Sequence, residues 1–113
     1  MIRTSRLYEY KAKSNTYVIL VDRLWPRGIS KENKVWDEWM KSIAPSNELR
    51  EWFGHDPEKW EEFRIRYHEE LKFHKVEIDR IKELEQQYGT VHLLYTSKNI
   101  EYNHTRVIME LLH

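Results

Sequence analysis

Two short runs of apolar residues stand out in a chain that is otherwise rich in charge. Residues 16–22, TYVILVD, and residues 90–95, TVHLLY, are mainly aliphatic and β-branched and show no regular polar alternation. Continuous apolar runs of this length are typical of strands that are buried on both faces. Residues 2–10 have a weaker apolar pattern, which predicts a short edge strand.

Apolar residues also recur at helical spacing in the second half of the chain. Ser46 is placed as an N-cap for a helix that Gly54 ends, and Asp56 followed by Pro57 is a second helix start. The pattern predicts two further amphipathic helices before residue 89 and a last helix over 100–112. The apolar positions that define these three helices are Trp60, Phe63, Tyr67, Leu71 and His74, then Ile78, Ile81, Leu84 and Tyr88, then Ile100, Val107, Ile108 and Leu111.

Residues 34–43, KVWDEWMKSI, fit two different patterns. Their apolar positions form a helical stripe, and every second position also fits a strand with one polar interruption. Periodicity alone does not separate a helix from a strand over so short a run, so both remain open.

The order of these elements is strand, loop, helices, strand and helix. Two buried strands that are joined by helices pair in parallel, because a parallel pair needs a long crossover. The sequence therefore predicts an α/β protein, a small three-layer fold with a mainly parallel sheet flanked by helices. Residues 1–113 are expected to form a single domain, since two hydrophobic cores would be hard to build at this length.

The charge and composition exclude several classes of function. The 19 basic and 19 acidic side chains cancel, which argues against a dedicated binder of duplex DNA or of an anionic membrane. The absence of cysteine removes disulfides, thiolate zinc sites and cysteine nucleophiles. No apolar run is long enough to span a bilayer, and the N-terminus lacks the apolar core of a signal peptide. We therefore expect a cytoplasmic protein.

Polar side chains follow both of the strong strands. Asp22, Arg23 and Arg27 come after the first strand, and Tyr95, Thr96, Ser97 and Lys98 come at the end of the second. If the two strands are neighbours, these groups converge where ligands bind in parallel sheets, outside the carboxyl ends of the strands. Because a guanidinium grips phosphate or carboxylate with two N–H groups, the pattern predicts an anion-binding crevice.

Three blocks of the sequence resemble the YeaO-like family, which consists of short bacterial and archaeal members of a larger domain family of unknown function. The blocks are LVDRLWPRGISKE, the segment from IAPSNELREWFGHDPEKW onward, and LLYTSKN followed by NH. The resemblance extends from about Arg6 to Leu112 and implies a small α/β fold. It implies no activity. Alanine often follows the Asn–His pair in this family, where this chain has Thr105.

Each candidate site residue has a predicted role in the crevice. Arg23 and Arg27 would clamp the anion, and Trp25 and Tyr95 would line the pocket. The groups expected to add amides, polar contacts or charge are Gly28, Ser97, Lys98 and Asn103. The candidates for proton transfer are Asp22, His55 and His104.

Structural roles compete with each of these functions. The arginines are also suited to pair with Asp22, Asp37 or Asp56 and so hold the loop. Asp22 would then form a salt bridge or cap the following turn, and the two histidines would be packing residues.

The sequence predicts neither a metal site nor a cofactor. His68 and His74 are six residues apart, which does not place them together on one helical face, and no glycine-rich phosphate loop is present. The leading interpretation is a binder of a phosphate- or carboxylate-bearing small molecule. The alternative is a non-catalytic module that binds RNA or protein. Catalysis and oligomeric state remain open.

Overall fold

A computed structural model describes residues 1–112 and contains one sheet of four parallel strands. The strands are β1 (Ile2–Arg6), β2 (Tyr17–Leu20), β3 (Glu38–Trp39) and β4 (Val91–Tyr95). Their order across the sheet is β1-β4-β2-β3, and the central strand β4 pairs with both β1 and β2. The predicted adjacency of the two strongly apolar strands is confirmed, and so is the edge strand at the start of the chain.

The four helices all pack against the same face of the sheet. They are α1 (Asn47–Phe53), α2 (Trp60–Leu71), α3 (Lys75–Tyr88) and α4 (His104–Leu112). Their buried residues form one hydrophobic core with the sheet residues Ile19, Val21, Val91 and Leu93. Within residues 1–112, no helix has the length and apolar character needed to cross a bilayer.

A smaller apolar cluster covers the opposite face of the sheet. Val18, Leu20 and Leu94 pack there against Leu7, from a 3₁₀ turn, and Trp36, from a loop. The α/β class and the parallel sheet are therefore confirmed, and the third layer consists of loops and short turns.

The ambiguous segment 34–43 contains a two-residue strand and no α-helix. The amides of Asp37 and Met40 donate to the carbonyls of Val18 and Leu20, at 2.8 Å and 2.9 Å, and so extend the sheet at its edge. A 3₁₀ turn, Lys41–Ile43, follows directly. The tryptophans of this segment flank a strand instead of forming a helical stripe.

The helix boundaries follow the capping signals closely at α1. The Ser46 hydroxyl accepts the Leu49 amide at 3.1 Å, and Gly54 ends the helix in a left-handed conformation with φ 53°. The last helix begins at His104, later than predicted, because turns around the Asn99 side chain precede it. Ile100 consequently lies 65% exposed, outside the core to which the sequence assigned it.

Candidate functional site

A cavity of about 800 Å³ opens at the edge of the sheet where β2 and β4 end. We call this cavity the crevice. Its walls come from the end of β1 and the turn after it, the loop after β2, the segment before α1, α1 itself, one residue of α2, the loop after β4 and the start of α4. The structure brings nine of the predicted site residues together there: Asp22, Arg23, Trp25, Arg27, His55, Ser97, Lys98, Asn103 and His104.

Gly28 and Tyr95 do not line the crevice, contrary to prediction. Gly28 has φ 81° in a tight turn in which the Ile29 amide approaches the Pro26 carbonyl at 3.4 Å, so it shapes the loop. Tyr95 is packed inside the protein, where burial raises the pKa of its hydroxyl. Its position at the end of a strand predicted that the Tyr95 hydroxyl would face the crevice, but the side chain is buried in the protein interior.

Asp22 joins the ends of the two central strands. Its Oδ2 accepts the Thr96 amide at 3.0 Å and also accepts the Thr96 hydroxyl. These bonds connect the loop after β2 to the loop after β4 and keep the crevice walls together. The arginine partner that the sequence suggested for Asp22 is not present among the described residues, and Thr96 takes its place.

His104 connects the start of α4 to the same strand end. Its Nε2 lies 2.9 Å from the Val21 carbonyl and 3.4 Å from Asp22 Oδ1. Because a carbonyl only accepts hydrogen bonds, Nε2 must carry a proton and Nδ1 is the basic nitrogen of the neutral ring. The side chain is 12% exposed, so His104 forms part of the wall and also fixes the position of α4.

Arg23 is held by the main chain of the segment before α1. Its Nε donates to the Pro45 carbonyl at 3.0 Å and its Nη2 donates to the Ala44 carbonyl at 2.9 Å. Tyr67 donates its hydroxyl to the neighbouring Ile43 carbonyl at 2.6 Å, and burial raises the pKa of that hydroxyl well above its usual value. Side chains thus satisfy three successive carbonyls of a buried segment.

Arg27 and Lys98 are exposed at the mouth of the crevice. Within residues 1–112, neither side chain forms a hydrogen bond or an ion pair. The main chain of Arg27 is fixed, because its carbonyl accepts the Tyr8 hydroxyl at 2.8 Å. These two cations are therefore held near the cavity while their charged groups stay free to contact a ligand.

The crevice lining also contains two arginines that were not predicted from the sequence. Arg6 ends the edge strand β1 and donates from Nε to the Ser97 carbonyl at 3.2 Å. Arg50 lies on α1 and donates to Asn47 Oδ1 at 3.3 Å. Arg50 falls within the block that resembles the YeaO-like family, so that block was the available signal. The weak pattern of β1 gave little reason to choose Arg6.

The crevice carries a strong excess of positive charge. Its lining contains five cationic side chains, Arg6, Arg23, Arg27, Arg50 and Lys98, and one carboxylate, Asp22. Every hydrogen bond that its arginines make goes to a neutral carbonyl or amide oxygen. The expected pairing of Arg23 and Arg27 with Asp22, Asp37 or Asp56 does not occur among the described residues. The charge of these arginines therefore remains available to a ligand.

Aromatic side chains form part of the crevice wall and its mouth. Trp25 donates from Nε1 to the Ile29 carbonyl at 2.6 Å and meets the rings of Trp36 and Trp39 edge to face, with centroids 5.0 Å and 5.6 Å away. It is nevertheless 38% exposed. Tyr8 is also exposed, and the Arg6 guanidinium lies 4.9 Å from the centre of its ring. The mouth thus combines cations with accessible aromatic surface.

His55 is an exposed crevice residue in an unusual backbone conformation. Its φ is 58°, directly after Gly54 with φ 53°, and left-handed conformations are uncommon for residues other than glycine, although histidine adopts them more often than most. The neighbouring Asp56 caps the next turn by accepting the Glu58 amide at 3.0 Å. No side-chain hydrogen bond orients the His55 ring within the part of the chain that the structure describes.

Ser97 and Asn103 shape the loop between β4 and α4. The Ser97 hydroxyl accepts the Asn99 amide at 3.2 Å. Asn103 is buried, accepts the Thr105 amide at 3.0 Å, and donates to the Asn99 carbonyl at 3.0 Å. Asn103 therefore caps α4. Residues 1–112 contain no group of three or more acidic or histidine side chains arranged to hold a metal ion.

Comparisons with known proteins find relatives along the whole chain. The family described as the inactive DUF488-N3 subclade matches residues 1–113. The uncharacterized protein YeaO of Escherichia coli is 40% identical over 111 residues, which cover 98% of this chain and 96% of that protein. The uncharacterized protein Rv3073c of Mycobacterium tuberculosis is 36% identical over 114 residues, which cover 99% and 93%. No solved structure matches. The chain therefore belongs to the inactive DUF488-N3 subclade and is a YeaO-like protein.

Proposed function

We propose that this protein binds a small molecule bearing a phosphate or carboxylate group in the crevice, and that it does so without catalysing a reaction. One observation carries the proposal. Five cationic side chains meet a single carboxylate in one cavity of a chain whose net charge is zero.

The surroundings of these cations favour an anionic ligand. Hydrogen bonds between guanidinium groups and carboxylate or phosphate are short and about twice as strong as neutral ones. Arg23 is anchored through Nε and Nη2, so its remaining N–H groups are held in a fixed direction. A cleft lined by one sign of charge also concentrates ions of the opposite sign. An anion is therefore the simplest partner for the crevice.

Among the described residues, two of the three proton-transfer candidates form hydrogen bonds within the fold, and only His55 lacks one. Asp22 Oδ2 accepts two hydrogen bonds from Thr96, and the Nε2 proton of His104 is directed at the Val21 carbonyl. His55 has no hydrogen-bond partner within residues 1–112 to orient its ring. A general base needs an oriented ring or carboxylate within reach of the proton that it removes. The description of the subclade as inactive agrees with this interpretation.

Binding of single-stranded RNA is a second candidate, favoured by the exposed aromatic surface at the mouth. Trp25 and Tyr8 lie close to the cations, and bases stack on such rings. RNA binding would weaken steeply with added salt, because several phosphate contacts would release counterions. A small anion in the crevice would show a shallower dependence.

A thermal-unfolding screen with ligands tests the proposal. The ligands would be orthophosphate, pyrophosphate, sugar phosphates, nucleotides and dicarboxylates, each applied to wild type, Arg23→Ala, Arg27→Ala and Lys82→Ala. Lys82 is an exposed lysine on α3 outside the crevice, so its variant is the matched control. We expect at least one ligand to raise the unfolding temperature of wild type and control equally.

The crevice variants should lose most of that increment. Arg27→Ala is the cleaner of the two, because the Arg27 side chain forms no hydrogen bond or ion pair within residues 1–112. Equal stabilisation of all four proteins, or no stabilisation by any ligand, would contradict the proposal.

A further inference from the structure

We infer that the ligand class is a planar ring system joined to two or more phosphate groups, of which a nucleoside diphosphate is the simplest example. This inference rests on the proposed function and adds two requirements to it. The ligand must carry charge at more than one phosphate, and it must present a flat apolar face.

The requirement for several phosphates follows from the distribution of the cations. They come from four separate parts of the chain: the end of β1, the loop after β2, helix α1 and the loop after β4. All five line the same cavity, and within residues 1–112 no ion pair with a carboxylate neutralises any of them. One phosphate group carries at most two negative charges, whereas the lining has four more cations than carboxylates. Two linked phosphates match this excess better than one.

The available donors agree with that count. Arg27 and Lys98 have entirely free charged groups within residues 1–112, and Arg23 uses only Nε and Nη2 on the main chain. Arg6 and Arg50 each make one hydrogen bond to a neutral oxygen. Since an arginine has five N–H donors, each retains unused donors for a phosphate oxygen.

The requirement for a planar ring follows from the aromatic wall. The crevice lining includes Tyr8, Trp25, Phe53, Phe63 and Tyr102. Trp25 and Tyr8, with the neighbouring Leu24, remain substantially exposed at the mouth. Exposed apolar surface beside a cavity is typical of a ligand-binding groove, and flat rings stack favourably on aromatic side chains.

The size of the cavity fits the same ligand class. A volume of about 800 Å³ lies within the range of pockets that enclose whole organic ligands. Orthophosphate alone would leave most of this space, including the aromatic wall, unoccupied. The excess of cations, the free N–H donors, the aromatic wall and the cavity volume therefore all favour a ligand that is larger and flatter than an inorganic anion.

Isothermal titration calorimetry with four probes tests the inference. The probes are ADP, AMP, inorganic pyrophosphate and adenosine, all at the same ionic strength with wild-type protein. We expect ADP to bind about tenfold more tightly than AMP, because the second phosphate adds charge-assisted hydrogen bonds. ADP should also bind about tenfold more tightly than pyrophosphate, because the ring stacks. Adenosine should bind most weakly.

Two variants separate the ring from the phosphates. Trp25→Ala should lower the affinity for ADP about tenfold and should keep the affinity for pyrophosphate within about twofold of wild type. Trp25→Phe should restore ADP binding. The pyrophosphate titration also shows whether Trp25→Ala keeps the crevice folded. Arg27→Ala should weaken ADP and pyrophosphate alike.

The outcomes distinguish this inference from the proposed function. If AMP or pyrophosphate binds in a way that depends on Arg27, and ADP binds no more tightly than AMP, the inference is wrong and the proposed function stands. Equal affinity for ADP and pyrophosphate would also overturn the ring requirement. Failure of every anion to bind would overturn both. A single-stranded oligonucleotide that binds more tightly than ADP, with a steep salt dependence, would replace both with RNA binding.

Discussion

Arg80 and Arg27 are both exposed arginines, and their surroundings differ in kind. Arg80, on α3, forms a two-pronged ion pair with Glu38, with Nη2–Oε1 at 2.6 Å and Nε–Oε2 at 2.9 Å. Arg64, on α2, also pairs with a carboxylate: its Nε donates to both Glu110 oxygens, at 3.0 Å and 2.8 Å. Arg27 has no carboxylate partner within residues 1–112, and Arg23, beside it in the crevice, donates to main-chain carbonyls.

The comparison shows that one residue type has two uses in this small protein. On the helical surface the carboxylates cancel the charge of the arginines, and such exposed pairs contribute little to stability. In the crevice, neutral acceptors hold Arg6, Arg23 and Arg50, the Arg27 side chain has no acceptor within residues 1–112, and the charge of all four stays intact. The net charge of zero conceals this separation, because paired and unpaired cations count equally in a sequence total.

The largest effect on stability should come from Asp22, the only carboxylate in the crevice lining among residues 1–112. Asp22→Ala removes both hydrogen bonds to Thr96 and leaves its amide unpaired, so we expect the free energy of unfolding to fall by about 2 kcal/mol. Anion binding should be unchanged or tighter, because a negative charge has been removed from the site. Urea unfolding and calorimetry measure the two effects.

Thr96→Val is the matched variant for this prediction. It removes the hydroxyl bond and keeps the amide bond, so it should be destabilised less than Asp22→Ala. A loss of anion binding in a folded Asp22→Ala protein would show that Asp22 contacts the ligand favourably, contrary to the comparison.

Arg80→Ala and Arg27→Ala should differ by a smaller amount in their effect on the free energy of unfolding. Arg80→Ala should lower the free energy of unfolding by about 0.5–1 kcal/mol, because it breaks a partly solvent-screened ion pair. Arg27→Ala should leave stability within about 0.5 kcal/mol of wild type while weakening anion binding. If Arg27→Ala is the more destabilised of the two in the absence of ligand, Arg27 has a structural partner and the comparison is wrong.

In acid, Arg80 should no longer contribute to the free energy of unfolding, and Arg27 should not contribute at any pH. The hydrogen bond from Arg80 lowers the pKa of Glu38 against the opposing effect of burial. A lowered pKa in the folded state gives stability above the ordinary carboxylate range, which is lost as the pH falls through the lowered value. The difference between wild type and Arg80→Ala should therefore vanish in acid.

The difference between wild type and Arg27→Ala should stay near zero at every pH. Burial lowers the pKa of His92, so acid destabilises both proteins of each pair, and this effect cancels in the difference. A stability difference for Arg80→Ala that persists in strong acid would show that Arg80 acts through packing.

The sequence predicted the position of the crevice but only part of its construction. Strands β2 and β4 were predictable because their apolar runs require burial on both faces, and their adjacency then placed Asp22 close to Thr96. The partner of Asp22 was not predictable, since hydrogen bonds across 74 residues depend on the register of the strands.

Other features depended on tertiary context. Arg6 reaches the crevice only because β1 pairs with β4 in register, with Arg6 opposite Tyr95. Segment 34–43 has a helical spacing of apolar residues, and the exposed edge of β2 instead draws it into a short strand. Ile100 fits the apolar face of a longer α4, but the turns held by Asn99 start that helix later.

Calorimetric titration of inorganic pyrophosphate into two double variants tests the central claim most directly. Arg27→Ala/Lys98→Ala removes two free cations from the crevice, and Arg66→Ala/Lys82→Ala removes two cations elsewhere, so the variants have equal net charge. We predict that the control binds as wild type does and that the crevice variant binds at least about tenfold more weakly. Equal loss of affinity in both variants, or equal affinity in all three proteins, would contradict the account.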